Sequence, residues 1–351
     1  KTYNYGYFQP YYMPSGRQYT QAFYLQDQIK WKNIIFSTGV RYDHINNIGQ
    51  KNLAPQYNDI SVGHNYSQKN YNGWSYYLGL NYDVNHYLSL FTNFSRTWRA
   101  PVIDEQYETQ YSKASVSATS LNLEKEMINQ TRVGGIITLN HLFQENDAFQ
   151  FRTTYFYHRG KNEIFKTRGV NCVGNAADTN KNNVCPKIIG NYRNLPGYVI
   201  QGAELEAYYQ STYLFGELTY SYVKGKRDTS PRNPWGKTST WIAEIPPRKA
   251  TATLGFNIPK YNFTAGWRAE FVRRQDRSPL SGDPEAKYWS LPASRGYSLH
   301  NLFLSWSPAK IKGMNVKITV DNLFNRAYNP YLGELASGTG RNIKFSLSQK
   351  F

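Results

Sequence analysis

The sequence predicts an all-β fold, the wall of a transmembrane antiparallel β-barrel, on three observations. Segments of alternating apolar and polar residues recur along the chain, the period of a strand with one face in oil and the other in water. Short and long connections between these segments strictly alternate, as they do when tight turns line one rim of a barrel and long loops the other. Aromatic residues are abundant (31 Tyr, 18 Phe and 8 Trp in 351 residues), yet mean hydropathy is only −0.66. A barrel needs only every second residue apolar, and it gathers aromatic rings into girdles at its two interfaces. No run approaches ~18 apolar residues, so no transmembrane helix is expected.

The pattern places strands at 17–31, 33–44, 71–84, 86–98, 126–140, 147–160, 196–210, 212–224, 248–258, 261–273, 296–307, 313–324 and 340–351. Trp74, Tyr76, Leu78, Leu80 and Tyr82 share a face against Ser75, Gly79, Asn81 and Asp83. Phe149, Phe151, Tyr155 and Tyr157 alternate with Gln150, Arg152, Thr154 and His158, and Leu214, Leu218, Tyr220 and Tyr222 with Glu217, Thr219 and Ser221. Ala250, Ala252, Leu254 and Phe256 oppose Thr251, Thr253 and Gly255. Phe263, Ala265, Trp267, Ala269 and Phe271 oppose Thr264, Gly266, Arg268 and Glu270; Val316, Ile318 and Val320 oppose Lys317, Thr319 and Asp321. Mid-strand Arg and Glu suit a watery interior and not a dry sandwich core. The last segment, GRNIKFSLSQKF, alternates Ile343, Phe345, Leu347 and Phe351 with Lys344, Ser346, Ser348 and Lys350; with Gly340, Arg341 and Asn342 before it, it reads as a barrel-closing strand.

Tight connections fall at Lys32, Asn85, Ser211 and Pro259-Lys260, with slightly longer ones at 141–146 and 308–312. The long ones are 1–16, 45–70, 99–125, 161–195, 225–247, 274–295 and 325–339. If Phe351 ends on the periplasmic side, all the long ones are extracellular. Bacterial barrels have an even strand number with both termini on one side. The odd count of about 13 strands, and an opening at Lys1 with no signal peptide, are therefore expected of residues 1–351 as the carboxyl-terminal portion of one barrel, its amino-terminal part lying outside this sequence.

The formal net charge is +17, but Lys and Arg are spread along the whole length, and no basic run or nucleic-acid motif accompanies them. Nucleic acid is not expected; anionic lipid head groups or an anionic ligand are. Cys172 and Cys185 close a polar loop, which predicts a disulfide and an oxidising compartment. No second Cys or His pair stands near at ligand spacing, so no metal site is expected. Nor does any nucleophile, base and orienter combination stand on neighbouring segments, and no enzymatic activity is expected.

Five segments, in order, resemble TonB-dependent outer-membrane receptors. Phe23 to His44 ends on a GxRYD pattern; Trp98-Arg99-Ala100-Pro101 resembles the family's FRAP element. Leu121 to Glu126 resembles NPxLKPE, where a large loop returns to the barrel, with Asn122 placed to satisfy backbone groups. Asp321 to Tyr328 resembles NLF(D/N)xxY, and Gly340 to Phe351 the closing strand. The resemblance covers most of 17–351 and implies a 22-stranded barrel with a plugged lumen, of which this chain would supply the last 13 strands. It further implies an integral protein of the bacterial outer membrane, importing a scarce nutrient with energy delivered through TonB to a plug that this chain does not contain.

The stretch from Tyr328 to Asn342 is most similar to receptors for haem or haem-carrying proteins. Those relatives often place a haem-ligating His between the FRAP and NPxL elements, and none stands between Pro101 and Leu121 here. Tyr107 and Tyr111 are the substitutes, since Tyr can ligate haem iron; Trp98, Arg99 and His64 complete the ligand-binding candidates. Haem would be cargo and no cofactor is intrinsic. Two other readings stand beside it: a ferric-siderophore receptor, whose basic residues Lys224, Lys226, Arg227, Arg273, Arg274 and Arg277 attract an anionic chelate, and a porin-like barrel or barrel enzyme without TonB coupling.

Overall fold

A computed structural model describes residues 14–111, 115–166, 170–171, 190–228, 239–277, 294–332 and 337–350. Thirteen long strands run antiparallel in chain order across one sheet, with no crossover. They are β1 Ser15–Trp31, β2 Ile34–Gln50, β3 Lys69–Asp83, β4 Leu88–Arg99, β5 Glu126–Asn140, β6 Ala148–Lys166 and β7 Tyr192–Gln210. After these come β8 Leu214–Arg227, β9 Lys249–Ile258, β10 Phe263–Val272, β11 Tyr297–Trp306, β12 Met314–Asp321 and β13 Asn342–Gln349. The short strand Thr240–Trp241 pairs with the end of β8, and a small second sheet joins Gln110–Tyr111, Ser115–Ser117 and Val170–Asn171. Among the described residues no helix is long and apolar enough to cross a membrane.

Each long strand stands where the alternation puts it, but three outrun their expected ends by four residues or more, and β12 stops at Asp321, short of 324. β2 continues to Gln50, β6 to Lys166, and β7 begins at Tyr192. In β2 the extension is polar, and Asn46 and Asn47 pair with Tyr19 and Gln18 of β1. Cross-strand hydrogen bonding carries a strand past the point where apolar alternation stops. In the β6–β7 extension the register runs unbroken from Gly197↔Lys161 to Leu195↔Glu163, and only the facing Pro196 and Asn162 drop out of the ladder, Asn162 in the left-handed region at φ 56°. Proline has no N–H for the ladder, and Asn tolerates that backbone region better than most residues. On the opposite rim the turns are tight and hold Lys32 (φ 52°), His141 (φ 59°), Asn262 (φ 49°) and Gly313 (φ 79°).

The register sorts side chains into two faces. One carries rows such as Leu254, Trp267, Leu302, Val320 and Ile343, cross-strand neighbours throughout. The other carries Arg132, Arg152, Glu206, Thr219, Thr251 and Glu270. On this polar face an aromatic ring repeatedly lies over a glycine directly opposite it. Phe91 covers Gly134, Phe156 covers Gly202, Phe215 covers Gly255, Phe303 covers Gly266 and Tyr198 covers Gly160. A Cβ at any of these five glycines would sit 2.2–2.6 Å from a ring carbon. The ring takes the place of the missing side chain and shields the backbone.

β1 and β13 are the two edges, each paired on one side only. Phe23 on β1 is 79% exposed and Phe345 on β13 is 67% exposed. Phe351, expected to end the closing strand, lies outside the described residues.

Candidate functional site

Between β4 and β5 the chain leaves the wall at Ala100-Pro101, turns through a short helix α1 (Ile103–Tyr107), and returns by Ser120 to Glu126. This strap lies along the polar face at the long-loop rim, since Asn47 and Gly49, which it covers, share the face of Arg41 and Asp43 by the period of two.

One end is tied to β1–β3. Asn47, fully buried, donates through Nδ2 to Pro101 O (2.8 Å) and Gln106 Oε1 (2.7 Å), while its Oδ1 accepts from Gln18 Nε2 (2.8 Å). Tyr107, also fully buried, lays its ring on Gly49, where a Cβ would come within 2.7 Å of it. Its hydroxyl lies 2.8 Å from Ser67 O and 3.1 Å from Asn47 O. Ile103 sits over Gly16 in the same way. The middle of the strap meets the β2–β3 connection: Thr119 N donates to Gly63 O, and His64 Nε2 lies 3.0 Å from Ser117 O.

The other end is tied to β6–β7. Glu108 accepts from Lys166 Nζ (2.7 Å) and Asn191 Nδ2 (3.0 Å). Ser120 Oγ accepts from Tyr192 N (3.1 Å). Asn194 accepts from Glu124 N and donates to the carbonyls of Glu124 and Asn162. At the root, Arg99 forks between Glu105 (2.7 and 3.0 Å) and Glu126 (2.9 Å). Glu105 also accepts from Val102 N at the first turn of α1, where a carboxylate complements exposed N–H groups. Charge-assisted forks of this kind fix geometry more strongly than neutral bonds.

The candidate residues therefore take up packing and tethering positions. Burial pushes the Tyr107 hydroxyl up to about 12, against a smaller opposing effect of the Gly49 backbone, so it remains a neutral hydrogen-bond donor at neutral pH. A tyrosinate that ligates iron needs the reverse. His64 is 1% exposed and engaged with Ser117. Trp98 packs at Gly73 beneath the Lys125 ammonium, 5.0 Å from the ring centre. Arg99 is the root of the strap. Tyr111 lies on the short strand Gln110–Tyr111 paired to Ser115–Ser117; its side chain, like Cys172 and Cys185, is outside the described residues.

The backbone-satisfying part expected of Asn122 belongs to Asn194, because Asn122 is exposed and Asn194 faces the returning chain from β7. Asn47, Gln106, Glu108, Glu126 and Asn194 had no signal as a group in the sequence. The one available hint was the placement of Glu105 and Glu126 about the lone Arg99 of the strap's root. At the last long connection, Asn322 donates to Arg326 O and Thr339 O and accepts from Arg326 N, while Asn325 accepts from Arg341 N, so the stretch before Asn342 is pinned to the end of β12. Among the described residues no group of His, Cys, Asp and Glu is placed to hold a metal ion.

A family model described as TonB dependent receptor-like, beta-barrel, matches residues 1–323. The chain is 94% identical over 351 residues to a Haemophilus influenzae protein named TonB-dependent heme receptor A, covering 99% of this chain and 47% of that one. It is 60% identical to the protein of the same name from Haemophilus ducreyi, with the same coverage. The chain thus spans about half the length of these curated relatives. Among solved structures, the Serratia marcescens hemophore receptor HasR, a double mutant in complex with its hemophore HasA and heme, superposes with a TM-score of 0.68 at 18% identity, over 96% of this chain and 52% of that one. At that identity the likeness shows the fold.

Proposed function

Because the chain belongs to the TonB-dependent receptor-like β-barrel family, we propose that it forms part of the wall and part of the mouth of an outer-membrane importer of haem. The observation that carries this reading is the 94% identity to a protein named TonB-dependent heme receptor A. In this reading the apolar face meets lipid, the polar face lines the lumen, and the long connections are extracellular, where haem or a haem-carrying protein arrives. Energy reaches the transport step through TonB and a plug supplied by sequence beyond the matched half. The chain performs no covalent chemistry: its residues bind, position and open.

The strap is the part of the mouth with a defined architecture. Its ties to β1–β3 and to β6–β7 span the lumen side of seven strands, so its release would widen the entrance. Tyr107, His64, Trp98 and Arg99 hold it in place, and Tyr111, on the short strand beyond α1, is the candidate for direct contact with haem. The Cys172–Cys185 disulfide would close the neighbouring extracellular loop.

The test uses the whole receptor. Purified and titrated with haem, it should shift the Soret band; in cells, growth on haem as sole iron source should require both the receptor and TonB. No Soret shift, together with tight binding of a ferric siderophore, would overturn the haem reading. Growth on haem without TonB would overturn the coupled mechanism.

A further inference from the structure

The apolar face ends, at the long-loop rim, in a row of cations. Register places Arg96, Asn129, Arg159, Val199 and Lys226 side by side across β4 to β8. Lys224 stands one row below Lys226 on the same face. Further round, Arg248 and Arg273 meet through the bond from Arg273 N to Arg248 O, just past the paired ends of β9 and β10. By the alternation of strand side chains these six cations face the same way as Phe94, Tyr157 and Tyr222, which stand two residues along their strands beneath Arg96, Arg159 and Lys224. Two residues of strand separate Lys224 from Tyr222, roughly 7 Å.

Among the described residues none of the six is in an ion pair, whereas Arg99, Arg227 and Lys249 on the polar face all are. Two of them rest on rings instead, Arg248 4.5 Å from the Tyr222 centroid and Lys226 4.4 Å from that of Trp241, and Arg96 reaches Met127 Sδ at 3.9 Å. Arg159, Lys226 and Arg273 are exposed. A ring girdle marks the level where hydrocarbon gives way to head groups, so cations one or two same-face rows above it stand at head-group depth. A row of like charges without acidic partners repels itself unless an anion lies along it.

We propose that this collar is a docking surface for the phosphate groups of an anionic lipid in the leaflet on the long-loop side. It rests on the membrane reading given above. The basic residues at this rim would then serve the lipid boundary outside the barrel, and not an anionic chelate within it. The collar ties the barrel to its leaflet at β4–β10, close to the roots of the strap and of the long connections.

The probe is phosphatidic acid, a lipid phosphomonoester. The whole receptor is placed in nanodiscs of phosphatidylcholine with and without it, and retained lipid is counted by native mass spectrometry. The wild type should retain phosphatidic acid over phosphatidylcholine. The combined Arg96→Gln, Arg159→Gln and Lys226→Gln variant should lose about a hundredfold of that preference, at roughly fivefold per cation. Arg96→Lys with Arg159→Lys should keep it, as should Arg268→Gln, a cation of the polar face. Inorganic phosphate should fail to displace the lipid. Equal retention by the triple glutamine variant, an equal loss in Arg268→Gln, or displacement by inorganic phosphate would overturn the proposal. Failure of the wild type to enter either bilayer would overturn the membrane reading beneath it.

Discussion

The two rims of this wall are built on different principles. At the tight-turn rim, adjacent residues do most of the shaping: Lys32, His141, Asn262 and Gly313 adopt left-handed backbone, and Asp147 and Ser211 bond backbone groups within a span of a few residues. At the long-loop rim, the strap between β4 and β5 is shaped by residues far away in sequence. Asn47 reaches Gln106 and Asn191 reaches Glu108, separations of 59 and 83 residues. A tight turn thus forms from local chemistry, while the strap exists only after β1–β3 and β6–β7 stand side by side. An element assembled last, from polar contacts, can also be the first to release.

That contrast can be broken most forcefully at Asn47. Asn47→Leu leaves Pro101 O, Gln106 Oε1 and Gln18 Nε2 without their buried partner, and should weaken strap docking by about 3 kcal/mol. Amide exchange of the whole receptor should accelerate over 103–123 while the sheet stays protected; unchanged exchange there would refute the central place given to Asn47. Arg99→Leu strands Glu105 and Glu126. Because Arg99 is 42% exposed, the cost is discounted to about 2 kcal/mol, and Arg99→Lys should recover part of it, measured by the same exchange.

Tyr107→Phe keeps the ring on Gly49 and removes only the hydroxyl contacts with Ser67 O and Asn47 O, a loss of about 1 kcal/mol. Haem difference spectra should not change in this variant, and a lost Soret shift would restore Tyr107 as an iron ligand. The smallest effect belongs to the tight-turn rim. Burial works against the Asp147 charge, yet the N–H groups of Phe143, Leu142 and Gln144 and the Tyr209 hydroxyl hold its carboxyl below the usual range. A lowered folded pKa means that the stabilisation is full above the ordinary carboxylate value of ~4 and fades as pH falls through the lower folded value. Exchange at Leu142, Phe143 and Gln144 should therefore rise only under acid, with the strap unaffected; a rise near neutral pH would contradict this.

How much was legible follows from the same division. The strands were visible because alternation is a property of neighbouring residues, and the turns because Asn, Gly and Pro act locally. Strand ends past the apolar band were not: Asn46 and Asn47 look like loop until Tyr19 and Gln18 are known to pair with them. Arg99 was visible as part of a motif, but its two carboxylate partners lie in segments whose approach depends on register. Asn194 is hidden for the same reason, and Asn122 draws the expectation because it stands nearer in sequence to the returning chain.

The five rings laid over glycines bear on how the wall withstands load. Neighbouring strands in a ladder can in principle slide by two residues and remake every backbone bond. Here a slide of two moves Phe91 off Gly134 onto Arg132 or Ile136, and Phe303 off Gly266 onto Thr264 or Arg268. There the ring collides with a side chain and uncovers the glycine. Each pair works as a shear pin between two staves, and pins recur between β4 and β5, β6 and β7, β8 and β9, and β10 and β11. A wall pinned this way can take a tug along the lumen axis without its strands creeping past one another.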